Sequence, residues 1–89
     1  MHKHGRVDLN QNEVVEALRR VGCTVQSLSD VGCGCPDLLV GFRGDWYVME
    51  VKTSMGRLTD AEMTWINRAA GNVALVRSAN DALRVIGAI

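Results

Sequence analysis

The segment from Asp37 to Lys52 constrains the fold most strongly, because it holds two apolar runs of strand length separated by a short turn. Residues 38–42 form the first run and residues 46–52 form the second. Gly44 and its neighbours suit a tight turn between antiparallel strands. The pattern therefore predicts a β-hairpin, and the wholly apolar first run predicts that its first strand is buried.

A helix is predicted before this hairpin. Asn10 is a good N-cap residue, and Glu13, three positions later, completes a pattern like a capping box. The apolar residues that follow recur at helical spacing, and Gly22 can end the helix in a left-handed conformation. The apolar stripe consists of Val14, Ala17, Leu18 and Val21. A short strand over residues 24–28 and a glycine-containing loop over residues 29–36 are then expected.

A second helix, a strand and a third helix are predicted after the hairpin. Thr59 and Glu62 form a capping box, and Gly71 is expected to end the second helix. Residues 73–76 form an apolar run of the kind that is buried on both faces of a sheet. Ser78 caps the last helix. The order α-β-β-β-α-β-α predicts an α/β fold in which helices flank a mixed four-stranded sheet.

Composition bounds the kind of protein. The 89 residues, of which 47% are apolar, are expected to form a single domain over residues 1–89, with residues 1–8 as a flexible arm. His2 and His4 in this arm are better explained as solvated residues than as metal ligands. Three cysteines and the absence of an apolar run of roughly 20 residues favour a cytoplasmic protein without a membrane span. The net charge of zero excludes DNA binding by phosphate neutralisation alone.

Three charged residues of the hairpin are predicted to share one face of the sheet. Side chains alternate along a strand, so Glu50 and Lys52 point the same way. A two-residue turn at Arg43 and Gly44 places Asp37 opposite Glu50, whereas a turn one residue later places Asp37 opposite Lys52. In either register the two carboxylates and the ammonium group lie close together. A solvated hairpin face with a weak ion pair is the alternative that spacing alone leaves open.

Such a group suits phosphodiester hydrolysis. Carboxylate oxygens bind hard divalent cations, and a bound cation polarises a phosphate and acidifies water. Asp37 and Glu50 are therefore candidate metal ligands, and the backbone carbonyl of Val51 is a plausible further ligand. Lys52 is placed to orient the water molecule or to neutralise charge that develops on the phosphate. Mg²⁺ or Mn²⁺ is the expected cofactor.

Three motifs in this order resemble a known nuclease family. They are residues 34–40 (GCPDLLV), 50–52 (EVK) and 56–59 (GRLT). Together they closely resemble the virus-type replication-repair nuclease (VRR-NUC) family of the PD-(D/E)XK superfamily, over most of the chain from about residue 10 to residue 76. The resemblance implies a restriction-endonuclease-like core and a metal-dependent, structure-selective DNA endonuclease acting on branched DNA such as four-way (Holliday) junctions. It also implies a homodimer, and members of this family occur in phages and bacteria.

The resemblance suggests further site residues. Family members carry a glutamate on the first helix that supports metal binding. Of two candidates, Glu16 is spaced for an ion pair with Arg20, so the role is assigned to Glu13, which is expected to face inward. Glu62 replaces a glutamine that is usual in the family, and it either assists the metal site or only caps its helix.

Other residues offer weaker signals. Arg57 is a candidate for contact with a DNA phosphate, and Arg43 at the hairpin turn is a second, although a solvated turn explains it equally well. A zinc-binding module built on Cys33 and Cys35 has little support, because a second cysteine pair is lacking. The remaining alternatives are a nicking or restriction-like nuclease and a non-catalytic DNA-binding module with the same fold.

Overall fold

The secondary structure follows the predicted order of elements. A computed structural model of the protein describes residues 5–89. It contains, in chain order, α1 (Gly5–Arg20), β1 (Thr24–Ser27), β2 (Leu38–Phe42), β3 (Asp45–Val51), α2 (Asp60–Arg68), β4 (Val73–Val76) and α3 (Ala79–Val85). The strands form one sheet in the order β1-β2-β3-β4, in which β4 runs parallel to β3 and the other neighbouring pairs are antiparallel. The predicted α/β class, with helices flanking a mixed four-stranded sheet, is confirmed.

The hairpin has the first of the two registers considered above. Phe42 pairs with Asp45, so the turn consists of Arg43 and Gly44. Both turn residues have positive φ, 50° and 90° respectively, as a two-residue type I′ turn requires. Glycine adopts this conformation without strain, whereas a non-glycine residue such as Arg43 adopts it only rarely.

One face of the sheet carries the core. Alternate residues of the hairpin strands are buried on this face, among them Leu38, Val40 and Met49. Helices α1 and α3 pack against each other on this side, and α1 contributes the fully buried Val14 and Leu18. Two residues of the apolar stripe predicted for the first helix therefore supply the core, whereas Val21 at its end is 41% exposed.

The other face of the sheet is only partly covered. Trp46 of β3 lies across Gly41 of β2, where an added Cβ atom would come within 2.9 Å of the indole ring, yet Trp46 remains 63% exposed. Leu75 of β4 is 41% exposed. The prediction that residues 73–76 are buried on both faces is therefore wrong, because β4 is an edge strand and no helix packs over its outer face at Leu75.

Helix α2 is anchored mainly at its first turn. Its predicted capping box is confirmed: the Thr59 hydroxyl accepts from the Glu62 amide, and the Glu62 carboxylate accepts from the Thr59 amide. Gly34 approaches the backbone of this turn so closely that an added Cβ atom would overlap the Ala61 carbonyl. None of the nine residues 60–68 is buried, and the helix ends at Arg68 rather than at Gly71 as predicted.

The start of α1 differs from the prediction. The helix begins at Gly5, so Asn10 is not its N-cap, and residues 5–8 are helical rather than part of an arm. The Asn10 side chain instead donates a hydrogen bond of 2.9 Å to the Lys52 carbonyl, a contact between residues 42 positions apart. His2 and His4 lie outside the described residues. Within residues 5–89, no helix is both long and apolar enough to cross a membrane.

Candidate active site

The charged residues of the hairpin meet where β3 ends. Leu38 pairs with Met49, so Asp37, one residue earlier, lies opposite Glu50 on the face that turns away from the core. Lys52 follows on the same face. These residues border a cavity of about 250 Å³. The cavity is lined by Asp37, Glu50, Val51, Lys52, Thr53, Gly56, Arg57 and Glu62.

Asp37 is fixed by the neighbouring strand. One of its carboxylate oxygens, Oδ2, accepts a hydrogen bond of 2.8 Å from the Val51 amide. Burial raises the pKa of the Asp37 carboxyl above its usual 3.8, and the hydrogen bond from Val51 counteracts this effect only in part. The Val51 amide therefore orients the Asp37 side chain toward the cavity, and the other carboxylate oxygen, Oδ1, takes no part in that hydrogen bond.

Glu50 is a buried carboxylate whose hydrogen-bonding capacity is not filled. Its side chain is 2% exposed, and its Oε1 atom has no hydrogen-bond partner in the described part of the chain. Burial, a hydrogen bond with Glu62 and the charge of Asp37 raise the pKa of Glu50 from its usual 4.5 to about 8, although Lys52 acts in the opposite direction. Burying such a group without a full set of partners is costly.

Lys52 connects the carboxylates to helix α2. Its Nζ atom lies 2.8 Å from Glu62 Oε1 and 3.4 Å from Glu50 Oε2. Burial lowers the pKa of Lys52, but its contacts with Glu62 and Glu50 outweigh this and hold the pKa above 10.5. Burial raises the pKa of Glu62, but the bonds from Lys52 and from the Thr59 amide outweigh this effect and hold the pKa below 4.5. The ammonium is therefore charged and held in a fixed position.

The contacts of Glu62 bear on both roles suggested for it, helix capping and assistance to the metal site. Glu62 caps α2, and the same oxygen that accepts from the Thr59 amide also pairs with Lys52. The capping box could be predicted from the spacing of Thr59 and Glu62. The ion pair could not, because it depends on how the first turn of α2 packs beside the sheet.

Glu13 does not share the cavity with the other predicted site residues. It is exposed rather than inward-facing, so the predicted orientation is wrong: the buried face of α1 centres on Val14 and Leu18, whereas Val21, which shares a face with Glu13, is 41% exposed. Glu13 borders a neighbouring groove instead. Glu16 is also exposed, and it forms the expected ion pair with Arg20 at 3.7 Å.

The two predicted DNA-contacting arginines lie at different places. Arg57 lines the carboxylate cavity and is exposed. Arg43 lies at the hairpin turn, where its guanidinium is 4.8 Å from the centre of the Phe42 ring. Five residues of strand separate this turn from the position of Asp37, which is a distance of roughly 17 Å. Arg43 is therefore outside the cavity.

Two residues near the site were not predicted. Asn10 ties α1 to the carbonyl of Lys52, as described above. Arg77, which directly follows β4, donates from Nη1 to the carbonyls of Thr53 at 2.6 Å and Gly56 at 2.7 Å. The hydrogen bonds of Asn10 and of Arg77 join segments that are distant in sequence, and no motif or residue spacing predicts them.

The carboxylates of the cavity supply part of a metal site. Among the side chains of residues 9–89 there is no group of three or more His, Cys, Asp or Glu residues that could hold a metal ion. Asp37 and Glu50 offer two carboxylates, and the unpartnered Oε1 of Glu50 is the kind of hard oxygen that Mg²⁺ or Mn²⁺ prefers. A cation there needs the Val51 carbonyl, water or substrate oxygens to complete its coordination, as is usual for Mg²⁺.

Comparisons with known proteins found no relative of this chain. No protein-family model, curated protein or solved structure matches this chain. The geometry of the site and the motifs in the sequence are therefore the observations that bear on function.

Proposed function

We propose that this protein is a divalent-metal-dependent DNA endonuclease of the PD-(D/E)XK superfamily, resembling the VRR-NUC family. The observation that carries the proposal is Glu50: a carboxylate that is 2% exposed, has an unpartnered oxygen, and lies between Asp37 and the ammonium of Lys52. A solvated hairpin face would leave these groups exposed. Their burial favours a site whose remaining partner is a cation or a substrate.

Each residue has a defined part in the proposed hydrolysis. Asp37 and Glu50 supply carboxylate oxygens, and Asp37 is oriented by the Val51 amide. A bound Mg²⁺ or Mn²⁺ would supply positive charge that polarises the scissile phosphate and acidifies the attacking water. Lys52 remains protonated and donates hydrogen bonds to the negative charge that develops on the phosphate oxygens. The water oxygen bonds to phosphorus as the bond from phosphorus to the leaving oxygen breaks; the attacking water releases one proton to solvent, and the leaving oxygen takes up one proton from solvent.

DNA is proposed as the substrate although the chain has no net charge. The carboxylates of the cavity repel phosphate until a cation lies between them, so binding and catalysis depend on the same ion. Arg57 at the edge of the cavity is placed to contact a phosphate, and Arg43 could contact the same duplex farther along. Because the few basic contacts are electrostatic, DNA binding is expected to be weak and to weaken further as salt concentration rises.

We further propose that the protein acts as a homodimer on branched DNA. The uncovered face of the sheet carries the exposed Trp46 at its hairpin end, outside the carboxylate cavity, and pairing there would remove this apolar surface from water while leaving the cavity open to DNA. A four-way junction has approximate two-fold symmetry, so a two-fold dimer supplies the two cuts that resolve it.

Cleavage of labelled DNA tests the proposed function. The protein is incubated with four-way junctions, flaps and linear duplex, with Mg²⁺, with Mn²⁺ and with EDTA. The proposal predicts cleavage of junctions in either metal and none in EDTA. Equal cleavage of linear duplex indicates a nicking or restriction-like nuclease, whereas DNA binding without cleavage indicates a non-catalytic module on the same fold.

A further inference from the structure

A second cavity lies beside the carboxylate cavity. It is a groove of about 420 Å³ between α1 and the loop that follows β3, residues 53–57. Leu9, Asn10 and Glu13 line it from α1, and Met55 lines it from the loop. Thr53 lines both cavities, so the two adjoin at this residue.

The loop is held in place, yet its apolar side chain is left in solvent. Arg77 binds the carbonyls of Thr53 and Gly56, and the Gly56 amide closes a turn on the Thr53 carbonyl at 3.1 Å. Met55 between them is nevertheless 85% exposed, and Leu9 across the groove is 61% exposed. An ordered loop that presents a flexible apolar side chain beside a reaction site is suited to contact a ligand rather than to stabilise the fold.

The chemistry of the groove favours a nucleobase over a phosphate. Glu13 and Arg77 give the groove a formal charge of zero, and Arg77 already donates to backbone carbonyls. The Asn10 amide nitrogen is bound to the Lys52 carbonyl, which leaves its oxygen as an acceptor. The groove therefore offers the Asn10 amide oxygen and the Glu13 carboxylate as acceptors, and the hydroxyls of Thr53 and Ser54 as donors or acceptors. This mixed set complements base edges, which carry both donors and acceptors, whereas the Glu13 carboxylate repels phosphate.

We propose that this groove receives an unstacked nucleobase of the DNA substrate and that Met55 packs against the face of that base. This proposal depends on DNA being the substrate, and it gives the protein a means of selecting among DNA structures. Bases inside a continuous duplex are stacked and paired, so placing one in the groove requires energy for unstacking. At a branch point, nick or flap that energy is small. The groove therefore favours DNA with interrupted stacking.

The test uses full-length protein with Met55→Ala, Met55→Leu and, as a matched control, Val31→Ala, which truncates an exposed apolar residue of the β1–β2 connection. Junctions carry 2-aminopurine either at the branch or within an arm. Its fluorescence is recorded on binding in Ca²⁺, and cleavage is then measured in Mg²⁺. All variants should melt within about 2 °C of the parent protein, since these side chains are exposed.

The proposal predicts that the parent protein and Met55→Leu change the fluorescence of the branch probe but not of the arm probe. Met55→Ala should lose this change and should cleave junctions at least tenfold more slowly, while Val31→Ala behaves like the parent protein. If Met55→Ala cleaves within twofold of the parent and keeps the probe signal, the groove proposal is overturned and the nuclease stands. If no DNA is cleaved but a Met55-dependent probe signal remains, the groove proposal stands and the nuclease does not. Absence of both signals overturns both.

Discussion

At the scale of single residues, Glu50 decides how the site is interpreted. A glutamate two positions before a lysine on a strand is common, and on a solvated hairpin the pair would contribute little. Here the carboxylate is buried, crowded by Asp37 and Glu62, and has an oxygen without a partner among residues 5–89. These are features of a binding site more than of a stabilising ion pair, because a buried charge without partners destabilises the fold.

The first prediction concerns the three residues of the proposed centre. Asp37→Asn, Glu50→Gln and Lys52→Ala should each lower the rate of junction cleavage at least 100-fold, because each removes a charge that acts on the reacting phosphate. Circular dichroism should show that the variants are folded. Glu16→Gln is the matched control, since Glu16 is exposed and paired with Arg20. Full activity of any of the three variants in saturating Mg²⁺ would mean that the centre is misplaced.

The second prediction concerns stability without metal. Because the pKa of Glu50 is about 8 in the folded protein and 4.5 otherwise, the folded state retains a proton that the unfolded state loses. The free energy of unfolding should therefore fall as pH rises from about 4.5 to 8, and Asp37, whose pKa is also raised, acts in the same direction. Glu62, whose pKa is lowered, loses its stabilising effect as pH falls below 4.5.

The Glu50→Gln variant isolates this effect. Glutamine is nearly isosteric and carries no charge to bury, so at pH 8 in EDTA the variant should be more stable than the parent protein by about 2 kcal/mol. The melting temperature should rise by roughly 8 °C or more, and the gain should shrink toward pH 5. Thermal denaturation followed by circular dichroism measures both. A variant that melts at or below the temperature of the parent at pH 8 contradicts this account of Glu50.

At the scale of elements, α2 connects stability to the site. None of residues 60–68 is buried, so the helix depends on its capping box and on the close contact of its first turn with Gly34. The same Glu62 oxygen that completes the cap holds Lys52. Loss of the cap should therefore disturb the position of the lysine as well as the helix.

The third prediction separates these two roles of α2. Thr59→Ala removes the cap hydroxyl and should lower the free energy of unfolding by about 1 kcal/mol. Glu62→Gln keeps an acceptor for the Thr59 amide but loses the charge that pairs with Lys52, so it should preserve stability within about 0.5 kcal/mol. Urea denaturation distinguishes them, and Ser78→Ala, which truncates the cap of α3, is the control. Equal destabilisation by Thr59→Ala and Glu62→Gln would show that the ion pair stabilises α2 as much as the cap does, and would contradict this separation of roles.

At the scale of the whole molecule, the sheet is covered unequally. Helices α1 and α3 enclose one face, where the core residues lie, whereas Trp46 and Leu75 remain exposed on the other. A chain of 89 residues has little core, so additional burial by association would stabilise it appreciably.

The fourth prediction follows from this exposed face. Light scattering at micromolar concentration should give twice the monomer mass of 9.7 kDa. Trp46→Glu should shift the protein to monomer while leaving it folded, because it places a charge in the proposed interface. Val31→Glu places the same charge at an exposed apolar residue of the β1–β2 connection and serves as the control. A monomer in the parent protein, with and without junction DNA, would contradict the dimer and the paired cuts.

Local signals in the sequence determined most of the fold. The glycine at the hairpin turn, the capping box at Thr59 and the apolar run of β2 act between near neighbours, so the element order and the hairpin could be predicted. The sequence left two registers of the hairpin open, and the structure selects the one that places Asp37 opposite Glu50. The boundary at the start of α1 was wrong because Asn10, a good cap by type, is used instead in a tertiary hydrogen bond.

Only the tertiary structure decided which charges meet around the site. The Lys52–Glu62 ion pair and the bonds from Arg77 to the loop after β3 join segments that are far apart in sequence. The exposure of Glu13 depends on which face of α1 packs against the rest of the domain. The burial of Glu50 depends on the elements that close around it, because a side chain's contact with solvent is set by packing rather than by its neighbours along the strand.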